Sequence, residues 1–254
     1  MSHPFIIWTM RRTGGTSLAT LLMKLSDHPG TQHEPFNFDR AFGHVLENWQ
    51  HEQDVPAMRG EIRQILKGNT PTIKHCYELM PLKLNRALMQ VSSNLGYRHI
   101  VLERRDEVAR ILSLELAKMT GAWGKDAAGE IYEAIEQGKR KVAPLDLPHA
   151  LAHLHKCQQD RANLAALFDE YGQAPFVVSF EDMYTDYDQG RAKLQELLDF
   201  LGIDISEQPD FEDQARATLV QSGQNTARIQ RHVPNLDEAC QHLQQAFDGY
   251  DRVF

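Results

Sequence analysis

The chain has 254 residues, a formal charge of −8 and three widely spaced cysteines, Cys76, Cys157 and Cys240. That length buries a full core and fits one α/β domain spanning 1–254, while the acidic balance excludes a general nucleic-acid binder, so any polyanion must be gripped by a local basic site. The cysteines suggest neither a disulfide framework nor a zinc-type pair, and no run of about 20 apolar residues or signal-peptide pattern is present, so no membrane span and a cytoplasmic, reduced setting are expected.

The first predicted strand, Phe5–Met10, runs straight into Arg11-Arg12-Thr13-Gly14-Gly15-Thr16-Ser17. Leu18, Leu21, Leu22 and Leu25 then follow at the spacing of one buried helix face, which predicts a helix at about 16–26. Strand, glycine loop and helix start together place backbone N–H groups and a positive dipole end around one anion. Gly14 and Gly15 permit close approach, Arg12 adds a fixed charge with a fork of donors, and Thr13, Thr16 and Ser17 add hydroxyls. A nucleoside-triphosphate loop reads G-x-x-x-x-G-K-[ST], but here no Lys follows the second glycine and the first lies too close to it. The loop is therefore expected to hold an anion other than the β/γ-phosphates of a triphosphate.

Three more β-like runs follow, Thr72–Tyr77, His99–Arg105 and Pro175–Phe180, separated by helical patterns at about 81–94, 107–120 and 149–171; helices at about 190–201 and 236–248 complete the chain. Strands alternating with helices, with no hairpin signals, predict a P-loop-like parallel sheet covered by helices on both faces and binding ligands at the strands' carboxyl ends. Residues 38–70 and 121–148 fit the alternation poorly and are read as helical or loop insertions forming an acceptor pocket.

Arg105 ends the third strand, Asp106 is placed to cap the next helix, and Ser113 lies eight residues beyond Arg105. If the chain turns between them, Arg105 and Ser113 form a second anion site; otherwise they are a surface Arg and an incidental helical Ser. His149, His153 and Cys157 share one helix face, but no third carboxylate or H-E-x-x-H pattern accompanies them, so no metal is expected. Trp8 and Trp49 read as packing residues, and Ser17 lacks the G-x-S-x-G frame of a hydrolase nucleophile.

Arg12-Thr13-Gly14-Gly15-Thr16 resembles the 5′-phosphosulfate loop, [KR]-[ST]-G-[ST]-[ST], of sulfotransferases that use 3′-phosphoadenosine-5′-phosphosulfate. Arg105 with Ser113 resembles their 3′-phosphate signature, and Val177-Val178-Ser179-Phe180-Glu181-Asp182-Met183, with Phe200-Leu201-Gly202 further on, resembles their late [VI]-x-[YF]-E-D-L…FLG segment. Glu34-Pro35-Phe36 and Thr120-Gly121-Ala122-Trp123 are similar to pieces of the bacterial trehalose and nodulation-factor enzymes. Gly15 departs from the pattern, which has a hydroxyl residue there.

The resemblance implies transfer of a sulfuryl group from that donor to the hydroxyl of a small-molecule acceptor, leaving adenosine 3′,5′-bisphosphate, without a metal. It implies that Arg12, Thr13, Gly14, Gly15, Thr16 and Ser17 hold the 5′ end and that Arg105 and Ser113 hold the 3′-phosphate, with Arg228 or Arg231 from the polar stretch 222–235 joining them. Arg12 then neutralises charge on the leaving phosphate. Glu34 is the first-choice base, its pKa expected to rise through burial near Pro35, Phe36 and Trp123; His75 is the rival. Adjacent strand residues face opposite ways, so only one of Lys74 and His75 can face the donor. A kinase-like phosphoryl transferase and a non-catalytic nucleotide-binding module are the alternatives on the same fold.

Overall fold

The structure is a computed structural model describing residues 1–123, 125–220, 226–248, 250 and 252–254, with only the backbone of 125–127. In chain order its elements are β1 (Phe5–Thr9), α1 (Gly15–Leu25), α2 (Gly43–Glu52), α3 (Val55–Asn69), β2 (Ile73–Cys76), a 3-10 turn (Tyr77–Leu79), α4 (Leu82–Asn94) and β3 (Arg98–Glu103). There follow α5 (Glu107–Thr120), α6 (Lys125–Glu136), α7 (Leu147–Glu170), β4 (Phe176–Ser179), α8 (Phe180–Tyr184), α9 (Tyr187–Leu201), α10 (Phe211–Val220), α11 (Ala227–Gln230) and α12 (Leu236–Phe247). By internal packing the chain divides into two compact units, Met1–Glu103 with Asp160–Gln221 and Phe254, and Arg104–Gln159 with Ser222–Val253.

The first unit holds a four-stranded, wholly parallel sheet in the order β2-β1-β3-β4. Ile7 pairs with Lys74 on one side and Ile100 on the other, so β1 is central. Its five residues are all buried, as a strand covered on both faces requires. Phe5 and Ile7 face a core built with Leu18 and Leu22 of α1, Leu194, Leu198 and Leu201 of α9, and Phe211 of α10. Trp8 turns to the opposite face, meets His75 and Phe168 edge-on, and donates its indole N–H to His99 Nδ1 at 3.0 Å; it is a packing residue, as predicted. Because β2 and β3 flank β1, the order reverses beside β1, and its carboxyl end is the topological switch point where open α/β sheets bind ligands.

The main part of residues 38–70, read as a helical or loop insertion, forms the two helices α2 and α3. Asp54 caps α3 by accepting the Ala57 N–H at 3.0 Å, and Met58, Ile62 and Leu66 bury one edge of that helix. Helix α10 was not foreseen; Phe211, Ala215 and Leu219 recur every fourth residue on its buried side. The helix α6 occupies part of 121–148.

The second unit is helical among its described residues. Asp106 caps α5, accepting the Ala109 N–H at 2.9 Å, as the sequence predicts. Inside it, Arg110 donates to both carboxylate oxygens of Glu107, at 2.8 and 2.7 Å, in a fully buried pair. No helix among the described residues is long and apolar enough to cross a membrane.

Candidate functional site

The glycine loop leaves β1 at Met10 and enters α1 at Gly15. Gly14, the residue before the helix, has φ 79°, and no side chain caps the helix start. The first N–H groups of α1 therefore lack the side-chain acceptor that usually satisfies one of them. Arg11 is pinned at the loop's entry: its backbone N–H and Nε both donate to the buried Glu78 carboxylate, at 2.7 and 2.9 Å. Thr13, expected to offer its hydroxyl to a ligand, is buried beneath the loop. Its hydroxyl turns inward, 2.9 Å from the Met10 carbonyl and 2.5 Å from Thr9 Oγ1, and it stiffens the loop from within. Thr16 is exposed at the helix start, and Arg12 and Ser17 are half-buried.

Arg12 has φ 70° and Glu34 has φ 57°. Left-handed backbone at a non-glycine residue costs on the order of 1–3 kcal/mol and concentrates at functional sites. The other two such residues, Gln53 and Thr70, are explained by ending helices α2 and α3. Arg12 and Glu34 end no helix, and they are residues to which the resemblance gives a catalytic role.

Glu34 and Lys74 are joined twice. The Glu34 N–H donates to the Lys74 carbonyl at 3.1 Å, and Lys74 Nζ donates to Glu34 Oε1 at 2.7 Å. Asn37 Nδ2 donates to the second carboxylate oxygen at 3.3 Å. Burial pushes the Glu34 carboxyl up, but the Lys74 charge and the bonds from Lys74 and Asn37 outweigh it, leaving the group below its ordinary range. The expected upward shift is thus corrected: an adjacent ammonium ion beats partial desolvation. His33 ties this loop to α1, with Nε2 3.3 Å from Thr20 Oγ1.

Lys74 reaches Glu34 by passing over the helix start. A Cβ on Gly15 would lie 3.2 Å from Lys74 Cε and 3.4 Å from Thr9 Cγ2. A side chain at position 15 would therefore press on the lysine stem, which must shift by a few tenths of an ångström to admit it. His75, the next residue, points into the opposite layer. It is fully buried, Nε2 lies 2.7 Å from Asn85 Oδ1, and burial lowers its pKa to about 4. Its geometry is that of a core histidine, and Lys74 is the member of the pair that faces the loop. Nearby, Glu103 at the end of β3 accepts from Arg161 Nε at 2.6 Å and from the Tyr77 hydroxyl at 3.1 Å.

In the second unit Arg105 is exposed just before α5, and its carbonyl accepts from the Arg252 guanidinium and, at 3.0 Å, from the Glu107 N–H. Ser113 is buried two turns into that helix and accepts a hydrogen bond from the Thr226 hydroxyl at 3.1 Å. Arg228 is paired with Glu136 at 2.6 Å, and Arg231 Nε lies 3.3 Å from His232 Nε2. Residues 222–225 of the predicted polar loop lie outside the described residues. His153 and Lys118 both donate to Glu115 of α5, at 3.0 and 2.7 Å. Burial raises that carboxyl, but these bonds outweigh it and bring it down to about 2.

No family model, curated protein or solved structure matches this chain. The site residues that sequence reasoning missed are Lys74 as Glu34's partner, Glu78 as the anchor of Arg11, and Tyr184, whose hydroxyl reaches the Gly14 carbonyl at 3.0 Å. Lys74 had a signal: period-two alternation already required it and His75 to face opposite ways.

Proposed function

We propose that this chain is a sulfotransferase of the bacterial type it resembles, taking 3′-phosphoadenosine-5′-phosphosulfate as donor and the hydroxyl of a small molecule as acceptor. The observation that carries the reading is the Lys74 side chain, packed on Gly15 and ending 2.7 Å from Glu34. It puts a cation and a proton-accepting carboxylate beside a helix start that has no side-chain cap.

The backbone N–H groups of Gly15, Thr16 and Ser17, with the Arg12 guanidinium, would hold the 5′ end of the donor; the 3′-phosphate is assigned to Arg105 and Ser113 by the resemblance alone. Bound there, the donor supplies a sulfuryl group whose leaving partner is adenosine 3′,5′-bisphosphate. Arg12 and Lys74 would offset the negative charge that grows on the oxygen being left behind. Glu34 is held as a carboxylate, so it is ready to receive the acceptor's proton but is a weak base. It suits a transfer in which the proton leaves late, once the acceptor oxygen has bonded to sulfur and become acidic. Lys74 and Asn37 fix the carboxylate's orientation.

Thermal unfolding with adenosine 3′,5′-bisphosphate and, separately, with Mg-ATP tests the reading, since a ligand that binds only the folded state raises Tm. The bisphosphate is expected to raise Tm and Mg-ATP to leave it unchanged, with Arg105→Ala weakening the response to the bisphosphate. Stabilisation by Mg-ATP alone would replace the proposal with a phosphoryl transferase.

A further inference from the structure

The ring of Tyr184, in α8, lies against the glycine loop. A Cβ on Gly14 would sit 2.7 Å from Tyr184 Cε2 and 3.1 Å from Phe180 Cδ2, and the two rings pack against each other, tilted by 45° with 5.0 Å between centroids. Short as it is, α8 is held in place: Ser179 caps it, its Oγ accepting the Asp182 N–H at 3.2 Å. From that position the Tyr184 hydroxyl donates to the Gly14 carbonyl at 3.0 Å.

The consequence follows from peptide geometry. In a planar trans peptide the carbonyl of residue 14 and the N–H of residue 15 point in opposite directions. A carbonyl drawn toward Tyr184 and the helix turns the Gly15 N–H the other way, out of the helix start. Glycine at position 14 offers little steric resistance to rotation about its own bonds, and helix ends fray, so the first helical hydrogen bond alone is a weak restraint. A flip of this peptide would aim a carbonyl oxygen where an anion requires a donor.

We infer that Tyr184 is a positioning residue that locks the Gly14–Gly15 peptide with its N–H turned outward as an anion donor. The identity of the anion, the 5′ end of the nucleotide, rests on the proposed function; the lock itself does not. Tyr184→Phe removes the hydroxyl and keeps the ring over Gly14. Tyr97→Phe is the control, because Tyr97 donates to the Leu66 carbonyl at 3.2 Å just before β3, at the other end of the strands from the loop.

Two readouts separate the inference from the function. Amide exchange of Leu18, whose N–H makes the first helical hydrogen bond to the Gly14 carbonyl, is expected in the ligand-free protein to speed up several-fold in Tyr184→Phe and to stay unchanged in Tyr97→Phe. Calorimetry with adenosine 3′,5′-bisphosphate is expected to show about 3–10-fold weaker binding in Tyr184→Phe alone, the worth of one lost hydrogen bond. Unchanged exchange at Leu18, or equal affinity in Tyr184→Phe and the wild type, would overturn the lock. A wild type that does not bind the bisphosphate, while exchange still responds to Tyr184→Phe, would remove the sulfotransferase reading and leave the lock standing.

Discussion

Lys74→Met is the sharpest perturbation of the site, because methionine keeps much of the stem that packs on Gly15 and removes only the charge. At the observed 2.7 Å and an effective dielectric of about 20, the attraction between Lys74 and Glu34 is of order 6 kcal/mol, and desolvation of both groups cancels much of it. Removing one partner of a buried pair costs about 3–5 kcal/mol; with Glu34 still 24% exposed and partly hydrated, about 2–3 kcal/mol is expected at pH 7. The pH dependence carries the sign. In the wild type the folded pKa of Glu34 is lowered, so the pair's stabilisation is present above the unfolded carboxylate value and is lost as pH falls through the folded one. In Lys74→Met, burial is left without its counter-charge, the folded pKa rises above the unfolded value, and the variant recovers stability as pH falls through it. The gap between the two proteins should therefore narrow from pH 7 toward pH 4.5. Urea unfolding of wild type, Lys74→Met, Glu34→Gln and the double variant, each compared at the same pH, measures the gap and the coupling; effects of other titrating groups cancel in these differences. A coupling below about 0.5 kcal/mol, the ordinary worth of an exposed pair, would refute the reasoning, as would a gap that widens as pH falls.

Three further outcomes are expected. Glu34→Gln should bind adenosine 3′,5′-bisphosphate as the wild type does and lose about 10²–10⁴-fold in transfer of labelled sulfuryl groups to a hydroxyl acceptor; unchanged transfer removes Glu34 as the base. Gly14→Ala adds a Cβ at φ 79° and 2.7 Å from Tyr184, so it should destabilise by about 2–3 kcal/mol in urea unfolding, and a loss below about 1 kcal/mol would show that the ring moves aside. His75 and His99, buried with pKa values lowered to about 4, are neutral in the fold but bind protons in the unfolded chain below pH 6.5. Stability should then fall between pH 7 and pH 4.5, less steeply in His75→Gln; an equal slope in that variant would exclude His75 as a source.

The sheet was legible because its strands carry a signal that nothing else in the chain imitates. Phe5–Met10, Thr72–Tyr77, His99–Arg105 and Pro175–Phe180 each contain the observed strand, apart from Arg98, which opens β3 one residue earlier. Helices α2, α3 and α10 escaped because they bury only a narrow edge. Met58, Ile62 and Leu66 in α3, and Phe211, Ala215 and Leu219 in α10, leave most of each helix to polar residues and so blur its periodicity. What marks α3 is its start, where Asp54 caps and Pro56 enters the first turn, and end signals persist when the apolar stripe is thin.

At the site, the residues at the strand ends were legible and the direction of their side chains was not. Arg12 and Glu34 were named from motif position, yet the feature that sets them apart, left-handed backbone without a helix end to explain it, exists only in three dimensions. Thr13 and Glu34 show how composition misleads. A threonine in an anion-binding loop suggests a donor, but Thr9 and the Met10 carbonyl claim its hydroxyl first. A carboxylate followed by proline and phenylalanine suggests a raised pKa, but an ammonium ion from a strand forty residues away decides the sign. Gly15 joins the two ends of this problem. Read alone it is a lost hydroxyl; beside Lys74 it is the space through which a cation passes from β2 to Glu34. Gly15 and the unforeseen lysine are therefore one feature, and Lys74→Met with Gly15→Ser tests it: if they disturb the Glu34 pair independently rather than as one unit, the two are unrelated.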